Sequence, residues 1–287
     1  MRIFVAGGTG AIGRQVIPLL VGAGHEVTVA SRSAGRVRDL LAAGARGVVA
    51  DVFDRDGLAV AVAAAEPEAV VHQLTSLAQG DPVQNALIRR EGTRNLVHAA
   101  LKAGARVFLA QSISWAYEPG EDPAVEATPL DLAAPEPRAV SVGGVAALED
   151  TVAGAGFERH VILRFGTFYG PGTWYAPGAA MAERVTAGTL PANDGIASFV
   201  HVRDAAEATV LALDDGWPSG PVNIVDDEPA PASAWVPWFA RALGLPAPEP
   251  VPGRAVWERG ADNTLARSLG WQPRYPSWRA GFAALTA

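Results

Sequence analysis

Residues 1–13 read MRIFVAGGTGAIG. Ile3, Phe4, Val5 and Ala6 form a short apolar run without polar alternation, the pattern of a strand buried on both faces of a parallel sheet. Gly7 follows directly, and Gly7, Gly10 and Gly13 recur at three-residue spacing, while Ile12, Val16, Leu19 and Leu20 set the period of a helix. Strand, glycine turn and helix N-terminus in that order make an anion site. Residues without Cβ let the backbone approach a pyrophosphate, and the N–H groups of the first helical turn have no partner of their own. A glycine triplet alone could be an ordinary tight turn; the strand before it and the amphipathic helix after it give it meaning.

Working outward, strand and helix signals alternate. Residues 25–30, 47–50, 69–72, 107–110 and 161–164 read as strands, and residues 37–43, 58–65, 85–103 and 139–155 as helices. This predicts an α/β fold with a Rossmann-type, doubly wound parallel sheet over residues 1–165. Beyond Phe165 the pattern turns irregular, and seven of the eight tryptophans lie there. Residues 166–287 are therefore expected to form mostly a small C-terminal substrate-binding lobe, with 202–243 partly returning to the Rossmann body. Residues 245–253, LPAPEPVPG, read as a rigid proline-rich connector.

Composition narrows the partners. The 287 residues are 49% hydrophobic and 18% charged, with a formal charge of -7, which argues against nucleic acid or an acidic membrane surface. No apolar run approaches a membrane span, and a core strand at the N-terminus leaves no room for a signal peptide, so a cytoplasmic protein is expected. Cysteine is absent, and the five histidines (25, 72, 98, 160 and 201) lack metal-ligand spacing, so no metal site is expected. Lys102 is the only lysine; arginine supplies every other basic side chain and cannot replace a compact, movable ammonium.

The chain resembles the extended short-chain dehydrogenase/reductase family, the NAD-dependent epimerase/dehydratase group. The resemblance rests on GGTGAIG, VVADVFD, VVHQL, EGTRNLVHAA, SIS, LRFGTFYGPG, FVHVRDAA, VNIVDDEP and LGWQPRYP in the family's order. It implies that Gly7, Thr9, Gly10, Ala11, Ile12 and Gly13 hold a dinucleotide pyrophosphate, and that Asp51 and Val52 sit by the adenine. Gln73, Leu74 and Thr75 would line the ribose and nicotinamide side, with Phe165 and Thr167 completing the cofactor site. Ser112 falls where the family hydrogen-bonds the reacting oxygen, or is a polar residue closing a strand. Members specific for NAD carry an acidic residue at the end of the second strand. Ser31 stands there, followed by Arg32 and Arg36, a set that suits a 2′-phosphate, so NADP is expected over NAD. The alternative is that both arginines are solvated charges.

The chain also departs from the family. Its acid/base is a tyrosine followed four residues later by a lysine; aligning on Glu149 puts Ser141 and Val145 in those places. None of Tyr117, Tyr169, Tyr175 or Tyr275 has a lysine four residues on. The family's asparagine in the helix after the fourth strand is replaced by Arg89, either an anion ligand or an exposed helix charge. Three readings follow. The first is an NADP(H)-dependent reductase of a small, largely apolar carbonyl or enone. In it Ser112 and Ser114 polarise the substrate, and Tyr117, Tyr169, His201 or water supplies the proton; a free tyrosine, with a pKa of about 10, is a better donor than base. The second is a non-redox isomerase, cyclase or dehydratase, with Trp115, Phe168, Trp174 and Tyr175 around a hydrophobic ligand or merely packing the lobe. The third is a nucleotide sensor without turnover. Helices 85–103 and 139–155 often pair subunits in this family, so a homodimer is a further expectation.

Overall fold

The computed structural model describes residues 1–75 and 80–285. In chain order the first half runs β1 (Arg2–Ala6), α1 (Gly13–Gly22), β2 (Glu26–Ser31), α2 (Ala34–Ala42), β3 (Arg46–Val49), α3 (Arg55–Ala65), β4 (Ala69–His72), α4 (Pro82–Leu87), α5 (Thr93–Lys102), β5 (Val107–Ile113), α6 (Arg138–Ala153) and β6 (Arg159–Phe165). Then come β7 (Thr167–Tyr169), α7 (Ala180–Thr186), β8 (Ile196–Ala197), β9 (Phe199–His201), α8 (Val202–Leu211), β10 (Gly220–Ile224), β11 (Ala230–Pro231), α9 (Ala232–Ala242), α10 (Thr264–Ser268) and α11 (Trp278–Ala283). A seven-stranded sheet has the order β10-β6-β5-β4-β1-β2-β3. Its strand β1 pairs in parallel with β2, in register Ile3 to Val27, and with β4, in register Ile3 to Ala69. Chain order reverses between β1 and β4, the switch point at which open α/β sheets bind ligands.

The chain divides into two compact units: Met1–Ser112, Leu132–Leu163 and Ala206–Pro221 form the first, and Ile113–Asp131, Arg164–Ala205 and Val222–Ala287 the second. The sequence boundary at 165 assigns residues 113–131 to the dinucleotide domain, whereas they belong to the second unit, where Tyr117 and Ala124 pack with Val225 and Ala261. The segment lacks apolar periodicity, so nothing local marks its change of company. The return to the first unit is residues 206–221. In the first unit Phe4, Val70, Leu96, Phe108, Leu148 and Ile162 share one apolar core; in the second, Phe199, Trp235, Phe239, Trp278 and Phe282 share another.

Two element boundaries differ from the sequence reading in ways that bear on the site. The helix expected over 85–103 starts at Pro82, because Asp81 caps it by accepting from Val83 and Gln84 N–H and proline suits the first helical position. It then loosens into a π-turn over Ile88–Gly92 before α5. Strand β5, expected to end at Ala110, runs on to Ile113, so Ser112 lies inside the strand and not after it.

Candidate functional site

The turn after β1 is built around glycines for steric reasons the structure makes explicit. Gly7 has φ +96°, and a Cβ there would stand 2.4 Å from the Gln73 carbonyl oxygen; a Cβ on Gly13 would stand 2.4 Å from Gly8 Cα. Gly8, which lies outside the three-residue spacing and carries no signal in it, is as constrained: its Cβ would meet Val29 Cγ1 at 2.3 Å. Gly10 is different. Its Cβ would touch only the Gly7 oxygen, at 3.4 Å, so its smallness leaves room for a ligand and not for the protein's own atoms. Among the described residues, the amides of Thr9, Ala11 and Ile12 donate to no backbone carbonyl. Gln73, whose carbonyl the turn approaches, is 5% exposed and its Oε1 is buried without a partner, while Nε2 reaches Thr209 Oγ1 at 3.5 Å. A turn kept open by missing Cβ atoms, unspent amides and an orphaned amide oxygen fit a pyrophosphate-bearing dinucleotide.

At the end of β2, Ser31 is buried and its Oγ accepts the Ser33 N–H at 3.2 Å, with Arg32 and Arg36 exposed beyond it. Asp51 Oδ1 accepts the Phe53 N–H at 3.0 Å, and the Val52 carbonyl accepts from Asn95 Nδ2 at 2.8 Å. Leu74 donates its N–H to His72 Nδ1 at 3.3 Å, while His72 Nε2 lies 2.9 Å from Thr93 Oγ1. Burial pushes His72 down to about 4, and the Arg89 charge adds to that push, so this ring is neutral and anchors the start of the 73–75 segment.

Ser112 is 1% exposed, and its hydroxyl donates to Glu149 Oε1, on α6, at 2.6 Å. Arg89, on the π-turn, is 5% exposed and not a solvated helix charge. Burial lowers its guanidinium to about 10, and the Glu149 carboxylate pulls it back up. Gly144 makes the room: a Cβ there would meet Ala86 Cα at 2.9 Å and Arg89 Cδ at 3.6 Å. The first unit thus holds a buried serine, carboxylate and guanidinium. Ser141 is half-buried and Val145 fully buried.

In the second unit, Ser114, Trp115, Tyr117 and Thr167 line one cavity of about 360 Å³. Thr167 therefore stands in this cavity's wall, and the Phe165 side chain is wholly buried, its carbonyl accepting the Ser114 N–H at 2.9 Å. Tyr117 is 1% exposed; its hydroxyl donates to Asn223 Oδ1 at 2.5 Å, and the Arg164 guanidinium lies 4.8 Å from its ring centre. Burial pushes this phenol up to about 12. Tyr169 is fully buried with its hydroxyl unpartnered, edge-on to Phe199, His201 and Phe282, and burial drives its pKa upward. Both tyrosines are core members. His201 Nδ1 accepts the Arg203 N–H at 3.1 Å, with its ring 4.4 Å from that of Tyr275. Asp204 turns its carboxylate to the Arg274 and Tyr275 amides. Tyr175 packs among Phe199, Trp235 and Phe239, Phe168 against Phe165, and Trp174 is 41% exposed. Among the described residues there is no cluster of metal-binding side chains, and no helix is long and apolar enough to cross a membrane.

A parallel sheet whose first strand runs into such a turn, at the point where strand order reverses, defines a Rossmann-type dinucleotide-binding protein. The chain belongs to the NAD dependent epimerase/dehydratase family, whose model matches residues 3–224. It is 44% identical to a 3-diazoavenalumate denitrifying reductase from Streptomyces sp, over 98% of this chain and 99% of that protein. It is 30% identical to the 2'-dehydrokanamycin reductase of Streptomyces kanamyceticus, over 94% of this chain and 75% of that one. Among solved structures, the UDP-glucose 4-epimerase of Thermus thermophilus in complex with NAD matches with a TM-score of 0.78 and 27% identity, covering 99% of this chain and 97% of that one. The family and the reductase relatives support an enzyme and an oxidoreductase, and the family and the NAD-bound neighbour a nicotinamide dinucleotide.

Proposed function

We propose that the chain is an NADPH-dependent reductase of a small, largely apolar aromatic compound whose reacting group is already electrophilic, in the first instance a diazo or diazonium nitrogen. One observation carries this reading: three of the hydroxyls that could have served as acids are spent or sealed, Ser114 being the exception. Ser112 donates to Glu149, Tyr117 donates to Asn223, and Tyr169 is buried in an aromatic core. A ketone needs a proton on oxygen as hydride arrives at carbon. A diazonium that takes hydride on its terminal nitrogen becomes a diazene; dinitrogen leaves, the carbon–nitrogen pair stays on carbon, and the diazene's own proton completes the C–H bond. That sequence asks no acid of the protein. The relative at 44% identity, named for a diazo substrate and for denitrification, supports the same class.

The residues of the glycine turn, with Asp51, Val52 and Gln73 to Thr75, would hold the cofactor, which supplies a hydride when bound. Ser31, Arg32 and Arg36 support NADP, since they offer a hydroxyl and two cations, and no carboxylate, to a 2′-phosphate. Enones and ketones remain the second reading, favoured by Ser114. Its hydroxyl makes no hydrogen bond among the described residues, so it can donate to a substrate oxygen from the cavity wall.

The test is protein-dependent, saturable loss of NADPH absorbance with an aryl diazonium, together with detection of the arene and dinitrogen, beside a panel of apolar ketones and enones. NADPH consumption by the panel but not by the diazonium overturns the first reading in favour of the second. Substrate conversion without NADPH loss returns a non-redox enzyme; tight NADPH binding with no conversion returns a sensor. Tighter binding of NADH than of NADPH overturns the cofactor assignment.

A further inference from the structure

We propose that the cavity of the second unit binds the carboxylate end of a planar aromatic acid, with Arg184 and Arg259 as its cationic contacts and Trp115 and Trp257 as its aromatic wall. This deepens the reductase reading by naming the substrate class, and rests on that reading only for the group that reacts. At about 360 Å³ the cavity falls within the range of small-ligand sites. The Trp115 and Trp257 rings are 6.1 Å apart and tilted by 49°, and Trp115 is 38% exposed. Trp235 and Leu190, both nearly buried, close the apolar side.

The charge on this wall selects the ligand. Arg259 donates from Nε to the Asp122 carbonyl at 2.6 Å and from Nη1 to the Glu118 carbonyl at 3.3 Å, so it is held in place by neutral acceptors that leave its charge uncompensated. Arg184 meets the Thr189 carbonyl at 3.0 Å and Met181 Sδ at 3.9 Å. Among the described residues neither guanidinium has a carboxylate within ion-pair distance. Glu258 is the one carboxylate of the lining; its Oε2 accepts the Ala255 N–H at 2.7 Å, and it stands against Gly195. Two cations and one anion leave a single positive charge, which matches a monoanion better than a phosphate dianion. A planar guanidinium suits the two oxygens of a carboxylate.

The experiment is calorimetric titration of cinnamate and of its uncharged amide into the full chain, wild type and Arg184→Met. The acid should bind about tenfold or more tightly than the amide, as expected for one charge-assisted hydrogen bond. Arg184→Met should remove most of that preference while leaving amide affinity unchanged. Arg259→Lys, which keeps the charge, should retain it. Equal affinity for acid and amide in the wild type, or an undiminished preference in Arg184→Met, overturns the inference. Cinnamate has no reducible diazo group, so the outcome is independent of turnover. Reduction of acidic and carboxyl-free diazonium compounds at equal kcat/KM would sink this inference alone, and acid binding with no reduction of any diazonium would sink the reductase reading alone.

Discussion

Replacing Glu149 by glutamine tests the arrangement at the heart of the first unit while keeping the shape of the side chain. In the wild type the Ser112 hydroxyl sits 2.6 Å from Glu149 Oε1, with Ser112, Glu149 and Arg89 exposed by 1%, 7% and 5%. Glutamine turns a charge-assisted hydrogen bond into a neutral one, a loss of about 1 kcal/mol. It also leaves a buried guanidinium without its carboxylate, for which removing one partner costs about 3–5 kcal/mol. An isosteric amide can still accept one hydrogen bond, so about 3–5 kcal/mol in total is the expected destabilisation. At roughly 2–4 °C per kcal/mol for domains somewhat smaller than this chain, the melting temperature should fall by on the order of 10 °C. Adding Arg89→Met should recover part of the loss, because the orphaned charge goes with it, and the double mutant should be more stable than the sum of the singles. Catalytically, the amide can donate to Ser112 and release the hydroxyl's own hydrogen, so kcat/KM for an enone should rise relative to that for a diazonium. An unmoved melt in Glu149→Gln, or additive Glu149→Gln and Arg89→Met effects, would refute a coupled buried pair.

Gly7→Ala places a Cβ 2.4 Å from the Gln73 oxygen at φ +96°. Strain of about 1–2 kcal/mol from the backbone alone should add to the overlap, and calorimetry should show NADPH affinity falling at least about tenfold. Ser31→Asp puts a carboxylate where a 2′-phosphate is expected, so the ratio of NADPH to NADH affinity should drop, and an unchanged ratio would remove Ser31 from the cofactor site. His72 has a folded-state pKa of about 4 against an ordinary 6.5, so the unfolded chain binds the extra proton between these values. Its contribution, about 3 kcal/mol, is complete above pH 6.5 and lost as pH falls towards 4, and denaturant titrations of His72→Gln should lack that slope. Asp226 works oppositely: burial raises its carboxyl from 3.8 to about 8, so the folded chain holds the proton and stability declines as pH climbs through that window. Asp226→Asn should flatten the decline.

What could be read from the sequence, and what could not, follows from the range of the interactions involved. Gly7 and Gly13 announce themselves because strand, turn and helix are contiguous and their steric demands are local. Gly8 answers to Val29 on the neighbouring strand, so no spacing rule exposes it. Ser112 could be placed near the end of β5, yet the direction of its hydrogen bond depends on a glutamate 37 residues away, and the fate of the Tyr117 hydroxyl on an asparagine 106 residues away. Tyr169 reads as a candidate acid in FYGPG, and only the aromatic rings gathered from α9 and α11 show it to be core. The substitution of Arg89 for the family's asparagine was visible; its burial was not, because a lone arginine on an amphipathic helix ordinarily points to water.

That burial also limits what Arg89 can do: a guanidinium held near 10 stays charged at neutral pH and moves no proton. The Glu149 carboxylate favours the charged form of Arg89 and accepts the hydroxyl hydrogen of Ser112, so the three groups form one buried electrostatic set. On the reading proposed above, a substrate that arrives activated is reduced without a strong acid, and departure of dinitrogen makes the step irreversible. The committed hydroxyls and the proposed diazo substrate class therefore stand together: if a simple ketone were reduced at a rate matching an aryl diazonium, the proton would have to come from Ser114 or another donor that Ser112, Tyr117 and Tyr169 do not provide, and Ser114→Ala should then abolish ketone reduction.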